Sequence, residues 1–173
     1  MPSESAVQAE DKMNEWCSLR YVDEQLSPEE RARYARHLIL PEMGEKGQKK
    51  LKKSSVIVIG AGGLGSPTLL YLAAAGVGKI GIIDDDKVDI TNLQRQVIHS
   101  TATVGSLKVE SAANRIRELN PEIEIVEHNT RLDVNNALEL ISDWDLVIDG
   151  TDNFPTRYTI NDACEVLGKP WAF

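Results

Sequence analysis

The stretch from Val56 to Gly76, VIVIGAGGLGSPTLLYLAAAG, constrains the fold of this chain more than any other. Val56 to Ile59 is a short apolar, β-branched run of the kind that forms a buried strand. Gly60, Gly62, Gly63 and Gly65 follow at once, and Ser66-Pro67 opens an alanine-rich apolar run that reads as a helix ending near Gly76. Strand, glycine turn and helix, with Gly60-x-Gly62-x-x-Gly65 in register, make the first half of a dinucleotide-binding unit. Such glycines let the backbone turn tightly, approach a phosphate and pack helix against strand. The free N–H groups and dipole of the helix start favour an anion there. Lys79 to Ile83 reads as the next strand, and Asp84 ends it where a carboxylate commonly binds a ribose hydroxyl. Glycine turns of this kind also serve packing alone, and the motif leaves the nucleotide and its chemistry open.

The 173 residues suffice for one domain with a full core, and a hydrophobic content of 42% is ordinary for a globular chain. The net charge of −8 argues against a nucleic-acid binder, which usually carries a basic face. No apolar run approaches the ~20 residues that span a bilayer, and the acidic N-terminus has no signal-peptide core, so no membrane partner and a cytoplasmic location are expected. Cys17 and Cys164 are far apart and in no CxxC, which argues against a disulfide framework or a cysteine zinc site within the chain. Gly168 to Phe173 reads as the beginning of a strand after a helix, so the chain is expected to be a fragment, truncated at its C-terminal side.

Residues 1–22 show little periodicity and are expected to form a flexible tail, with Trp16, Leu19 and Tyr21 free to dock elsewhere. Ser27-Pro28-Glu29-Glu30 is a capping box, and its helix should run to about Leu40, where Pro41 stops it. Arg33 and Arg36 share a face of that helix, either as a solvated surface or as arginines offered to a phosphate. A short helix is expected over Lys46 to Leu51, its lysines solvating the surface or meeting an acidic partner. After Asp84-Asp85-Asp86 comes an irregular polar loop, Val88 to Gln96, and then a helix expected over Thr103 to Asn120 with Val109, Ala112, Ala113, Ile116 and Leu119 as its apolar stripe. Lys108 in its first turn opposes the helix dipole, a placement that makes sense if it reaches an anion. A strand over Glu122 to His128, a helix over Val134 to Ile141 and a strand over Asp145 to Asp149 follow. Asp152, at the carboxyl end of that last strand, either holds magnesium beside phosphates, caps the helix Phe154 to Leu167, or does both. The order of elements gives an α/β, Rossmann-like, doubly wound and mostly parallel sheet preceded by two helices.

Six segments carry a more specific signal together: Arg33 to His37, Gly60 to Gly65, Asp84 to Asp86, Asn92 to Gln96, Val104 to Lys108, and Thr151 to Asn153. In this order and spacing they resemble the adenylation domain of the ubiquitin-activating-like enzymes, in particular the MoeB/ThiF branch, which activates ubiquitin-like sulfur-carrier proteins. The resemblance runs from about Arg33 to Phe173 and identifies residues 23–173 as an incomplete ATP-binding adenylation domain. It implies that Gly60, Gly62, Gly63 and Gly65 lie against ATP phosphates, and that Asp84 binds the ribose. It implies that Asn92, Arg95 and Lys108 contact phosphates and stabilise charge at the α-phosphate, and that Asp152 holds Mg²⁺ with Asn153 beside it. Asp86, Thr91, Leu93 and Gln94 are implied nucleotide contacts, and Arg36 resembles an arginine that crosses a homodimer interface into the neighbouring site. The implied activity is adenylation of a carrier's C-terminal carboxylate, the carrier being of the molybdopterin-synthase small-subunit or thiamine type. Many members carry a zinc site of two CxxC pairs in a C-terminal half whose ligands are not in this sequence. Cys164 matches no catalytic cysteine of the family and is expected to be packing, and His37, His99 and His128 receive no role. Two other readings remain: an NAD-dependent oxidoreductase, which leaves the Asn92 to Arg95 loop and Lys108 unexplained, and a non-catalytic dimerising fragment.

Overall fold

The computed structural model describes residues 25–173, so the expected tail, with Trp16, Cys17, Leu19 and Tyr21, lies outside the described residues. Two compact units divide the chain, residues 1–50 and 51–173. In the first, Ser27 caps α1 (Pro28–Arg33): its Oγ accepts from the Glu30 amide at 3.1 Å, while the Glu30 carboxylate accepts from the Ser27 amide at 2.7 Å. The helix expected to reach Leu40 is interrupted at Tyr34, which is buried and stacks on His37 with ring centroids 6.0 Å apart. Seating that ring takes the Tyr34 backbone out of the helical range, and α2 (Ala35–Leu38) starts anew, with Arg36 exposed on it. The next helix, α3 (Gly44–Lys53), is longer than the expected Lys46 to Leu51. The Arg31 guanidinium and the Lys49 ammonium hold the Glu45 carboxyl down to about 2.

The second unit is an all-parallel sheet of β1 (Ser55–Ile59), β2 (Lys79–Ile83), β3 (Glu124–His128), β4 (Leu146–Asp149) and β5 (Trp171–Ala172), in the order β3-β2-β1-β4-β5. Every residue of the central strand β1 is buried, as a parallel strand covered on both faces must be. Its side chains alternate between two cores. Val56 and Val58, with Ile80 and Ile82 of β2, meet α4 (Gly65–Ala75) and α5 (Lys108–Leu119) through Leu69, Ala73, Val109, Ala112 and Ile116. Ile57 and Ile59 meet α6 (Ala137–Ser142) and α7 (Phe154–Leu167) through Ile141, Ile160, Ala163 and Cys164. Burial pushes the Cys164 thiol up to about 11, which suits the packing role expected of it. Strand order reverses between β1 and β4, so the loops leaving these two strands diverge and open a crevice at the sheet's carboxyl edge.

Element boundaries differ from expectation where local turns intervene. The helix expected from Thr103 begins only at Lys108, because a 3-10 turn (Thr101–Thr103), Gly105 at φ 89° and an extended Leu107 precede it. The helix expected from Val134 begins at Ala137, since the Asp133 carboxylate accepts from the Asn135 amide at 2.7 Å and holds a turn there. β3 starts at Glu124 rather than Glu122, behind a Pro121 turn. No helix among the described residues is long and apolar enough to cross a membrane.

Candidate functional site

A cleft of about 580 Å³ lies over the crevice between β1 and β4, and its floor is the glycine turn. Gly60 sits at φ +96°, which a residue with a side chain rarely adopts, and its amide donates to the Ile83 carbonyl at 2.7 Å. A β-carbon on Gly65 would collide with the Gly60 carbonyl oxygen, so this position is glycine to let α4 pack close to the turn. Gly62 and Gly63 differ in kind. A β-carbon at Gly62 would meet nothing nearer than the Gln96 Nε2 at 3.7 Å, and one at Gly63 nothing nearer than the Arg95 Cδ at 3.5 Å. The fold does not need glycine for space at these two, and both line the cleft. Leu64 at the start of α4 offers no side-chain acceptor to the first amides of the helix.

Asp84, at the end of β2, ties this turn to the sheet. One carboxylate oxygen accepts from the Ala61 amide at 2.8 Å and the other from the Asp86 amide at 2.9 Å. Lys108 is buried at the first position of α5, and its Nζ meets the Asp86 carboxylate at 2.8 Å. The anion expected beside Lys108 is thus met here by an exposed carboxylate of the cleft wall. Arg95 is exposed on the same wall, its aliphatic stem alongside Gly63. Thr130, Arg131 and Leu132, from the loop after β3, close a further side.

Gly60, Gly62, Gly63, Asp84, Asp86, Arg95, Lys108, Asp152 and Asn153 therefore come together as expected. Thr91, Asn92, Leu93, Gln94 and Gly65 are not among the residues lining the cleft. Thr91 and Asn92 bond within the turn that carries Arg95: the Asp89 carboxylate accepts from the Thr91 amide at 2.8 Å and its hydroxyl at 2.6 Å, and the Asn92 Oδ1 accepts from the Asp89 amide at 3.3 Å. Arg36 belongs to the N-terminal unit. The helix-cap reading of Asp152 is corrected: Asn153 caps α7, its Oδ1 accepting from the Thr156 amide at 3.0 Å, and Asp152 stays exposed in the cleft wall. Asp152 is thereby available to a hard cation. The carboxylates of Asp84, Asp85 and Asp86 also lie within 4.8 Å of one another, but Asp84 and Asp86 already serve backbone amides and Lys108.

Sequence reasoning missed three contributors. Arg131 and its neighbours gave no motif, and only their place after a parallel strand could have marked them. Gln96 ends the Asn92 to Gln96 segment, which assigns it no role. His99, given none, is buried beneath the turn: its Nε2 lies 3.0 Å from the Ala61 carbonyl and its Nδ1 2.9 Å from the Ser111 hydroxyl. The Ala61 carbonyl requires a proton on Nε2, so the neutral ring suffices. Burial lowers the His99 proton affinity, the Ala61 carbonyl opposes this, and Lys108 adds to it. A folded-state value below the unfolded ~6.5 means that the unfolded chain binds the extra proton. The contribution of His99 is therefore complete above about pH 6.5 and shrinks as pH falls from there toward its lowered value. Burial lowers His128 in the same sense. Chemical denaturation at pH 7.5 and 5.5 should show the parent losing more stability across this interval than His99→Gln. An equal loss in both proteins would remove His99 from the account.

Comparison with known proteins adds relationship to geometry. The model of the ThiF family matches residues 34–173. The chain is 59% identical over 148 residues to the probable adenylyltransferase/sulfurtransferase MoeZ of Mycobacterium tuberculosis, covering 86% of this chain and 38% of that protein. It is 54% identical over 145 residues to the adenylyltransferase and sulfurtransferase MOCS3 of Aedes aegypti, covering 84% of this chain and 33% of that one. It thus spans about a third of the length of the curated relatives that it matches. Among solved structures, E. coli tRNA N6-threonylcarbamoyladenosine dehydratase, TcdA, in complex with ATP, aligns with a TM-score of 0.80 at 31% identity, over 84% of this chain and 59% of that one.

Proposed function

This chain belongs to the ThiF family, and we propose that its cleft binds ATP and serves the adenylation of the C-terminal carboxylate of a ubiquitin-like sulfur-carrier protein. The observation that carries the reading is the flanking of two open glycines, Gly62 and Gly63, by an exposed arginine and a buried lysine, Arg95 and Lys108. A carboxylate oxygen attacks the α-phosphorus, the bond from that phosphorus to the bridging oxygen breaks, and pyrophosphate leaves with that electron pair. Both reactants are anions, so catalysis is mainly positioning and charge neutralisation, and no general base is needed. Arg95 and Lys108 supply fixed positive charge, the helix start supplies N–H groups, and Asp84 stands where it can orient a ribose. Asp152 would hold magnesium, which screens phosphate charge when bound. The relatives' names and the ATP complex of a structural neighbour support this reading over a nicotinamide-dependent one.

The carrier is of the molybdopterin-synthase small-subunit or thiamine type, the setting is cytoplasmic, and the assembly is a homodimer to which Arg36 contributes across the interface. The test is titration of the chain with MgATP and with NAD, followed by carrier-dependent ATP–pyrophosphate exchange. Binding of ATP without NAD, with exchange that requires the carrier, is the expected result. Tight NAD binding without ATP binding would overturn the reading.

A further inference from the structure

Arg95 and Gln96 are consecutive, and they face consecutive glycines of the floor: Arg95 lies against Gly63, and Gln96 Nε2 is the nearest group to a β-carbon at Gly62. Gln96 is 4% exposed, yet it lines the cleft. Its Oε1 is sealed from solvent and accepts no hydrogen bond. Among the described residues its Nε2 donates to no protein group either; the hydrogen bonds of Gln96 are those of its backbone, from its amide to the Asn92 carbonyl at 3.0 Å and from the His99 amide to its carbonyl at 3.1 Å. The sealed Oε1 stays unpaired, whereas the Nε2 beside Gly62 keeps a donor that no protein group takes up and that a ligand in the cleft can use.

We propose that Gln96 is a nucleotide-binding residue whose side-chain amide donates through Nε2 to a phosphate oxygen laid over Gly62. The inference rests on the reading of the cleft as an ATP site. It adds a neutral donor to a cradle otherwise described by its cations. Arg95 and Lys108 attract any anion, at any distance within screening range. A short-range amide donor fixed by burial instead selects where the oxygen sits, so it sets register rather than attraction.

Gln96→Met keeps the length and volume and removes both polar groups. A residue serving the fold would destabilise when so changed; one held for the ligand would not, because its orphaned polar atoms disappear with it. Gln96→Glu keeps the shape and adds a negative charge facing the phosphates. The expected result is a Gln96→Met protein whose melting midpoint is no lower than the parent's and whose ATP dissociation constant, by calorimetric titration with MgATP, is raised tenfold or more. The Gln96→Glu protein should bind more weakly still. ATP affinity of Gln96→Met within twofold of the parent's, or a Gln96→Met protein that melts markedly lower or fails to fold, overturns the assignment. Failure of the parent itself to bind ATP would remove the nucleotide reading and this one together, whereas parental binding with an unaffected variant removes only this one.

Discussion

Lys108→Met should lower carrier-dependent ATP–pyrophosphate exchange by about 10²–10³-fold, on the scale of losing one preorganised oxyanion donor, and leave the melting midpoint almost unchanged. The split follows from the two sides of its ion pair. The Lys108 side chain is 7% exposed, whereas the Asp86 side chain it meets is 67% exposed. Methionine fills the space of the buried lysine stem, and the carboxylate left behind is one that water already solvates, so the fold loses little. The reaction loses a cation held in a site of low dielectric, where it counts for far more than in water. Ligand anions and Asp86 compete for the same ammonium, so Asp86→Asn should not reproduce the defect. Exchange within threefold of the parent in Lys108→Met would place the reacting phosphate elsewhere. A matching fall in stability would make the lysine a fold residue instead.

The sheet was legible because its strands are short apolar runs between punctuating residues, and Lys79 to Ile83 came out with its observed limits. The glycine turn was legible because close approach leaves glycine no substitute at Gly65. The same reasoning could not tell Gly65 from Gly62, since one answers to the Gly60 carbonyl and the other to open space. Helix starts were misjudged at Thr103 and Val134, where side chains such as Thr103 and Asp133 bond to nearby groups in turns and imitate a helical beginning. Asn92 and Thr91 illustrate a different point. Their motif marks them as nucleotide contacts, and in the fold they also bond with Asp89 in the turn that presents Arg95, a role that motif membership does not reveal. His99 and Gln96 lie in that segment's continuation and became visible only through burial, which one sequence does not report. Arg131 needed the strand order, because only the sheet topology brings the end of β3 to the same edge as the glycine turn.

Asp149→Ala should cost roughly 3 kcal/mol of stability, the low end for breaking a buried ion pair by removing one partner. Asp149 ends β4, and its side chain is 0% exposed. One carboxylate oxygen accepts from the Thr151 amide at 2.8 Å and the Thr151 hydroxyl at 2.6 Å, and the other accepts from the Arg157 Nε at 2.8 Å. Alanine leaves three donors without this acceptor. Arg157 is not free to swing into water at no cost, because its guanidinium lies 5.0 Å from the Phe173 ring centroid and 6.0 Å from that of Phe154. Its side chain is 30% exposed, however, so water recovers part of the loss and the upper end of the range is not reached. Urea denaturation should show a lower midpoint at unchanged slope. The same carboxylate shapes the turn from Gly150 to Asn153, so ATP affinity should fall with it, through a displaced Asp152 rather than through any contact of Asp149 with the ligand. A double-mutant cycle with Arg157→Ala separates the two bonds: the coupling between Asp149 and Arg157 should be large in stability and near zero in ATP affinity. A loss of stability below about 1 kcal/mol, the scale of an exposed pair, would mean that the Thr151 turn and Arg157 find other partners when the carboxylate is gone.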